Sequence, residues 1–181
     1  SLLAGLLLLS LVVAGAEWLD RRYEVPVLMY HNVEAAAVAQ ADTVTPVVFK
    51  YQMKFLHDQG FNIILPQQLA EIIKNRQPLP RKTVVLTFDD GYENNFTNAF
   101  PVLKSYGFPA MLFISPGFTV KKGFLKWDQI LAMQKAGITF GSHGMEQAYL
   151  PEVSEDVRLW EIFESKRELE EKLGRPVEIY S

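Results

Sequence analysis

Short apolar stretches of strand length recur along the chain, and longer amphipathic stretches separate them. The clearest strand signal is TVVLTF, Thr83–Phe88, a continuous apolar run rich in β-branched residues. The run VPVLMYH at residues 25–31 has the same character, and we interpret it as a buried strand. The other predicted strands are residues 61–65, 110–114, 138–142 and 177–180.

The stretches between these strands carry helix signals. Thr45 followed by Pro46 is typical of a helix start, because threonine can cap the first turn and proline fits the first helical position. Apolar residues then share one helix face until Gly60, which stops the helix. Further helices are predicted at Pro66–Lys74, 93–106, Trp127–Lys135 and Glu155–Leu173. Residues 35–42 are predicted as a loop or a weak helix, and residues 75–82 as a loop. We interpret the charged residues 161–172 of the last helix as its solvated face.

The alternation of strands and helices predicts an α/β fold with a parallel sheet, either open or closed into a barrel. In such folds the functional site lies at the carboxyl ends of the strands. The polar residues at those ends are His31, Asp89, Asp90 and His143. These four residues are therefore the first candidates for a functional site.

Composition narrows the class of protein. The chain has 181 residues, of which 49% are hydrophobic, so it can form one domain with a sizeable core. The net charge is −3 and no basic stripe is present, which argues against a nucleic-acid partner. The chain has no cysteine, so disulfides and thiolate metal sites are excluded.

The first 16 residues are apolar or small and carry no charge. This pattern predicts the hydrophobic region of a secretory signal or a membrane anchor, and a buried helix is the alternative. Residues 17–24 then form a linker. Either of the first two interpretations places the domain outside the cytoplasm, with possible membrane attachment through this segment.

The adjacent carboxylates Asp89 and Asp90 are the strongest chemical signal. Gly91 allows the chain to turn sharply there, so both side chains can approach one cavity. A cation or a shared proton would relieve their repulsion. A divalent metal on one carboxylate would leave the other free as a base. An ordinary Asp-Asp-Gly turn is the structural alternative.

His143 supports the metal interpretation, because it ends another predicted strand within a GSHG turn. Catalytic zinc usually has three protein ligands and an open position for water. One aspartate and His143 supply two ligands, and Glu146 and Gln147 are the candidates for the third. A histidine that only satisfies local hydrogen bonds is the alternative.

The motif TFDDG followed about fifty residues later by GSH resembles the polysaccharide deacetylase family, the NodB-type carbohydrate esterases. The flanking segments VLKSYGFPAMLFI and ESKRELEEKLGRPVEIYS resemble the same family. VPVLMYHNV resembles the signature of its extracytoplasmic branch that acts on poly-N-acetylglucosamine. The resemblance covers residues 25–181, which we take as the deacetylase domain.

The resemblance implies a distorted (β/α) barrel with fewer than eight strands. It also implies a metal-dependent hydrolase that removes N-acetyl groups from a sugar polymer. By the family motifs, Asp89 is the general base, Asp90 and His143 bind the metal, and His31 is the general acid. The metal is a divalent ion, with zinc as the first expectation. Chitin oligomers, poly-N-acetylglucosamine and peptidoglycan all present the required N-acetyl group, and the MYH signature favours the second.

The chain departs from the family pattern in two places. Gln147 stands where the family has a second metal-binding histidine, while Leu150 matches the family leucine three residues later. Three outcomes follow from this departure. The metal is held weakly through Asp90, His143 and Gln147, or Glu146 or another carboxylate supplies the third ligand. In the third outcome no metal is bound and the protein only binds glycan. The family's proline-rich segment would follow Ser181, so we expect this chain to lack the last part of the barrel.

Three functions compete on this basis. The first is a metal-dependent N-deacetylase of an extracytoplasmic polysaccharide. The second is a catalytically impaired domain of the same fold that only binds glycan. The third is a glycosidase with Asp89 and Asp90 as acid and base. The two carboxylates of a glycosidase stand about 5–9.5 Å apart across a sugar, and adjacent residues on one turn make that geometry less natural.

Overall fold

The computed structural model describes residues 24–35 and 41–181 of the chain. The predicted leader, most of the linker and part of the loop predicted at residues 35–42 lie outside the described residues. The strands are β1 Val27–Tyr30, β2 Asn32–Val33, β3 Thr43–Val44, β4 Asn62–Ile64, β5 Thr83–Phe88, β6 Met111–Ile114 and β7 Thr139–Ser142. The helices are α1 Pro46–Asp58, α2 Pro66–Lys74, a π-helix Asn95–Ala99, α3 Phe100–Tyr106, a 3-10 helix Pro116–Phe118, α4 Trp127–Lys135 and α5 Glu155–Leu173.

A parallel sheet is built around β5. β1 pairs with β5 from Val27 opposite Val85 to Tyr30 opposite Phe88. β4 pairs with the first half of β5, β6 pairs with its last two residues, and β7 pairs with β6. A separate two-stranded sheet joins β2 to β3. Because every pairing in the main sheet is parallel, the carboxyl ends of its strands lie at one edge, where α/β proteins place their sites.

The centre of the sheet is the core of the molecule. All residues of β5 and β6 are buried, as expected for parallel strands that are covered on both faces. Phe88 of β5, Leu112 of β6 and Leu169 of α5 are fully buried and belong to one hydrophobic core. The sheet agrees with the predicted α/β architecture, and in the described part of the chain it is not closed into a barrel.

The prediction that the first strand is buried is wrong. β1 alternates between exposed and half-buried residues, and Val27 and Met29 are 53% and 59% exposed. Among the described strands β1 pairs only with β5, so it forms an edge of the sheet. An edge strand has no neighbouring strand on one side, so its side chains are less covered from solvent than those of a central strand.

The helix predicted at residues 93–106 forms without a break, but part of it is wound as a π-helix. A π-helix at Asn95–Ala99 precedes α3, and Pro101 lies in the first turn of α3. Proline has no backbone N–H and so cannot continue the α-helical hydrogen-bond ladder. The other predicted helices form where they were expected, and α1 begins at the predicted cap, where the Thr45 hydroxyl accepts from the Val48 N–H at 3.3 Å.

The strand predicted at residues 177–180 is reduced to one bridge between Tyr180 and Ser142. The backbone of Val177 is already bound to α5: its N–H donates to Glu170 at 2.9 Å, and its carbonyl accepts from Lys166. Strand pairing therefore begins only beyond Val177. In the described residues, no helix has the length and apolar character needed to cross a membrane.

Candidate active site

The predicted site residues follow the carboxyl ends of β1, β5 and β7. The N–H of Asp89 donates to the Tyr30 carbonyl at 2.9 Å, so the sheet pairing continues one residue beyond β5. The N–H of His143 likewise donates to the Ile114 carbonyl at 3.1 Å. The parallel sheet thus places these two residues and the end of β1 at one edge of the molecule.

Residues 89–91, which we call the aspartate turn, have unusual backbone geometry. Asp90 and Gly91 both have left-handed φ values, of 68° and 72°. The turn breaks the strand alternation and lets both carboxylates approach one site. A Cβ on Gly91 would lie 2.8 Å from Cγ2 of Ile114, so only glycine fits without displacement.

Asp89 is almost completely enclosed. Its residue is 5% exposed, and its Oδ1 has no hydrogen-bond partner among the described residues. Its Oδ2 lies 3.5 Å from the Ser181 hydroxyl. Burial raises the pKa of the Asp89 carboxyl, although His143 and His31 counteract part of that shift. A buried carboxylate with a free oxygen and a raised pKa is suited to accept a proton.

Asp90 and His143 form a close pair. Nε2 of His143 lies 3.4 Å from Oδ1 of Asp90, and Nδ1 lies 2.7 Å from the Ser181 carbonyl oxygen. This pairing lowers the pKa of the Asp90 carboxyl. Burial alone would lower the pKa of His143, but Asp90, the Ser181 carbonyl and Asp89 outweigh burial and raise it. A carbonyl oxygen only accepts hydrogen bonds, so Nδ1 carries a proton, and Nε2 is the ring nitrogen that faces Asp90.

His31 lies beyond the end of β1, near both aspartates. It is close enough to lower the pKa of Asp89 and of Asp90 by its charge. Its backbone carbonyl accepts a hydrogen bond from the Asn95 side chain at 2.7 Å. Sequence reasoning missed this contact, which comes from the π-helix, an element that often marks functional sites.

Residues 143–148, which we call the histidine loop, carry both candidates for the third metal ligand. Gln147 has a left-handed φ of 59°, and its side chain lies close enough to Asp90 to lower the pKa of that carboxyl. Its buried Nε2 nevertheless completes no hydrogen bond of normal geometry with a described residue. Glu146 is exposed, and its side chain lies beside Gly117 instead.

The donor set suits a divalent cation with two strong ligands and one weak ligand. Asp90 and Nε2 of His143 face each other, and Nδ1 of His143 has the carbonyl contact usual for metal-binding histidines. In the described residues, no group of three or more His, Cys, Asp or Glu side chains is arranged to hold a metal. Gln147 is the remaining candidate for a third ligand, through the oxygen of its carboxamide, because the unpartnered Nε2 is a donor and cannot bind a cation.

Glu161 corrects one expectation from the sequence. We interpreted residues 161–172 as a solvated helix face, but Glu161 is only 1% exposed. Its carboxylate turns toward the histidine loop and accepts from the Met145 N–H at 2.6 Å. The spacing of α5 gave a hint, because Glu161 is followed by buried Ser165 and Leu169 at helical intervals.

Open grooves adjoin this edge of the molecule. A groove of about 430 Å³ is lined by His143, Gln147, Tyr149 and Tyr180, among others. Another of about 390 Å³ runs past His31. Grooves of this size are large enough to hold a sugar ring beside His143 or His31.

Comparisons with known proteins agree with this geometry. A family model for polysaccharide deacetylase matches residues 76–181. The polysaccharide-deacetylase-like protein YxkH of Bacillus subtilis is 30% identical over 148 residues, which are 82% of this chain and 52% of YxkH. The poly-β-1,6-N-acetyl-D-glucosamine N-deacetylase of Escherichia coli K12 is 36% identical over 85 residues, which are 46% of this chain and 13% of that enzyme.

A similar solved structure extends the match to most of the described chain. The deacetylase PplD of Streptococcus pyogenes, solved in complex with acetate, aligns with a TM-score of 0.84 at 27% identity. The alignment covers 88% of this chain and 74% of PplD. By contrast, this chain spans about half of the length of YxkH and a smaller share of the Escherichia coli enzyme.

Proposed function

The chain belongs to the polysaccharide deacetylase family, and we propose that it hydrolyses N-acetyl groups on an extracytoplasmic polysaccharide that contains N-acetylglucosamine. The observation that carries this proposal is the arrangement at the sheet edge. A buried carboxylate with a free oxygen, Asp89, lies beside the paired Asp90 and His143. That arrangement supplies a base next to a pair of metal-binding side chains.

In the proposed reaction Asp89 is the general base. It takes a proton from a water molecule as the water oxygen attacks the carbonyl carbon of the acetyl group. The raised pKa of Asp89, which is caused by its burial, makes it a stronger base than an exposed aspartate. Its free Oδ1 is the atom available for this proton.

His31 is the proposed general acid. Cleavage breaks the bond between the carbonyl carbon and the sugar nitrogen, and an amine leaves poorly unless it is protonated. His31 lies within electrostatic reach of both aspartates and can give its proton to that nitrogen. The products are acetate and a free amine on the sugar, so the proton lost by the water and the proton gained by the amine balance.

Asp90, His143 and Gln147 would hold the divalent metal, with zinc as the first candidate. When bound there, the metal polarises the acetyl carbonyl and makes the attacking water more acidic. Asp90 also keeps His143 oriented, because the two side chains lie 3.4 Å apart. The Ser181 carbonyl fixes the opposite side of the same ring.

Relatives support the choice of substrate. The similar Escherichia coli enzyme is named for poly-β-1,6-N-acetyl-D-glucosamine, and the MYH signature of residues 29–31 favours the same polymer.

We further propose that residues 1–16 direct residues 25–181 out of the cytoplasm. Mass spectrometry of the exported protein tests this, and recovery of the intact chain in the cytoplasm only would contradict it.

Acetate release tests the proposed function directly. Zinc-loaded protein is incubated with poly-β-1,6-N-acetylglucosamine, and with chitin oligomers and peptidoglycan in parallel. We expect acetate from at least the first polymer, and none above background from Asp89→Asn. Asp128→Asn, an exposed aspartate on α4, is the matched control and should keep full activity. No acetate from any polymer, with metal bound and the fold intact, contradicts the proposal.

One observation favours a second candidate function. Gln147 replaces a strong ligand with a weak one, and its amide has no completed contact among the described residues. A domain that cannot hold its metal would still present the grooves beside His143 and His31 to a glycan. Glycan binding without acetate release, by protein that takes up no metal, would support this second function.

A further inference from the structure

Glu161 is a buried carboxylate that the proposed reaction does not use. It lies on α5 and forms no ion pair with any described residue. It accepts instead from the backbone N–H groups of Met145 at 2.6 Å, Glu146 at 3.0 Å and Ala148 at 3.4 Å. Burying a charge is costly unless hydrogen bonds compensate it, and here the backbone of the histidine loop supplies them.

The three N–H donors surround Gln147 in the sequence. Gly144 and Gln147 have left-handed φ values of 79° and 59°, which turn successive N–H groups inward around the carboxylate. Loops of this kind bind anions, and in this chain the anion is one of its own side chains. Glu161 thus binds the backbone on both sides of Gln147, and these contacts stabilise the left-handed conformation that directs the Gln147 side chain.

Gly144 makes room for the carboxylate. A Cβ at this position would lie 2.6 Å from Oε2 of Glu161. The start of the loop is also fixed, because the Gly144 N–H donates to the Ser142 hydroxyl at 3.2 Å and that hydroxyl lies 2.7 Å from Ser165 on α5. Two side chains of α5 therefore hold the loop that carries His143 and Gln147.

We propose that Glu161 is a positioning residue that holds the histidine loop in the conformation placing Gln147 beside Asp90. The inference rests on the proposed function, since it assigns Gln147 to the metal site. It goes further, because it makes the third ligand dependent on a carboxylate of a different element. Among the described residues, that carboxylate forms no hydrogen bond with the metal ligands or the reacting groups.

A double-mutant cycle on zinc affinity separates positioning from general stability. We expect Glu161→Gln, which keeps the shape but loses the charge, to weaken zinc binding about tenfold in calorimetric titrations. In a Gln147→Ala background the same substitution should have little further effect. Glu171→Gln, an exposed residue of the same helix, should change nothing. An equal loss in both backgrounds would overturn the proposal.

Gly144→Ala tests the contact without changing any charge. The added Cβ would push against Glu161, so we expect a loss of zinc affinity similar to that of Glu161→Gln. Gly123→Ala is the matched control for backbone strain, because Gly123 has a φ of 86° and its added Cβ would meet nothing within 4 Å. Equal zinc affinities of the two glycine variants would contradict the proposal.

Hydrogen exchange in metal-free protein provides a readout that does not depend on the proposed function. The amides of Met145, Glu146 and Ala148 should exchange slowly in the native protein and faster in Glu161→Gln, while core amides of β5 stay protected. A native protein that binds no zinc would contradict the metal-dependent reaction. The role of Glu161 would then be judged by exchange alone, and unchanged exchange of the three amides would overturn it.

Discussion

The aspartate turn and the histidine loop supply the two halves of one site, yet they are held in different ways. The aspartate turn is fixed by its immediate surroundings: the sheet binds the Asp89 N–H, and Gly91 fits against Ile114. The histidine loop begins at the sheet, where the His143 N–H binds the Ile114 carbonyl, but the N–H groups that follow bind the carboxylate of Glu161, which approaches from α5. A site can therefore combine one half defined by its own strand with another half that depends on a distant helix.

This difference has a consequence for how each half responds to change. The turn is part of the sheet edge, so a substitution there either removes a reacting group or strains the core. The histidine loop is held by hydrogen bonds, from its backbone N–H groups to Glu161, from Ser115 to the His143 carbonyl and from the Gly117 N–H to the Met145 carbonyl. We therefore expect a substitution there to move its side chains without unfolding the protein. Four predictions test this contrast.

The largest effect is expected from Asp89→Asn in the aspartate turn. The amide cannot accept the proton from water, so kcat for acetate release should fall by about 10²–10⁴-fold. Thermal unfolding should shift little, because the substitution also removes a buried charge with an unpartnered oxygen. A variant that keeps its activity would exclude Asp89 as the base.

Gly91→Ala should strain the turn itself. The new Cβ would lie 2.8 Å from Ile114, and the φ of 72° disfavours alanine. We expect the free energy of unfolding to fall by about 1–3 kcal/mol. Gly60→Ala, with a φ of 66° and nothing within 4 Å of the added carbon, controls for the backbone term alone. Equal losses in urea unfolding would show that the contact with Ile114 carries no energy.

Gln147→His should strengthen the weaker half of the site. Imidazole is a better zinc ligand than a carboxamide, so zinc affinity should rise at least about tenfold. The melting temperature of the metal-free protein should stay close to that of the native protein, since the position is only half-buried. If competition titrations show unchanged zinc affinity, the side chain at position 147 does not reach the metal.

The last prediction concerns the pH dependence of zinc binding. The pKa of His143 is raised in the metal-free protein, and only its neutral form can bind zinc. Affinity should therefore be highest above that pKa and should fall by about tenfold per pH unit below it. A zinc affinity that stays constant as the pH falls from neutral to acidic values would argue against His143 as a ligand.

The sequence was sufficient for the family, the α/β fold and the strand that carries the aspartates. Thr83–Phe88 is a continuous apolar run, and its burial in the centre of the sheet follows from that pattern alone. The comparisons confirm the predicted family and fold. The roles of His31, Asp89, Asp90, His143 and Gln147 remain proposals that the geometry supports.

The rest depends on contacts between distant residues. Hydrophobic periodicity marks which strands are apolar, but it does not show that β1 lies at an edge and exposes Met29. Charge patterning marks α5 as polar, but it does not show that Glu161 turns inward to meet backbone N–H groups. A side chain whose partners are backbone atoms of another element leaves no sequence pattern of its own.

The metal content of the purified protein tests the central claim most directly. Elemental analysis is made on the native protein, on His143→Ala and on Gln147→His. We predict close to one divalent metal per chain in the native protein, the same in Gln147→His, and a large loss in His143→Ala. A native protein without metal, beside a Gln147→His variant that contains it, would contradict the claim and would favour a domain that binds glycan without hydrolysing it.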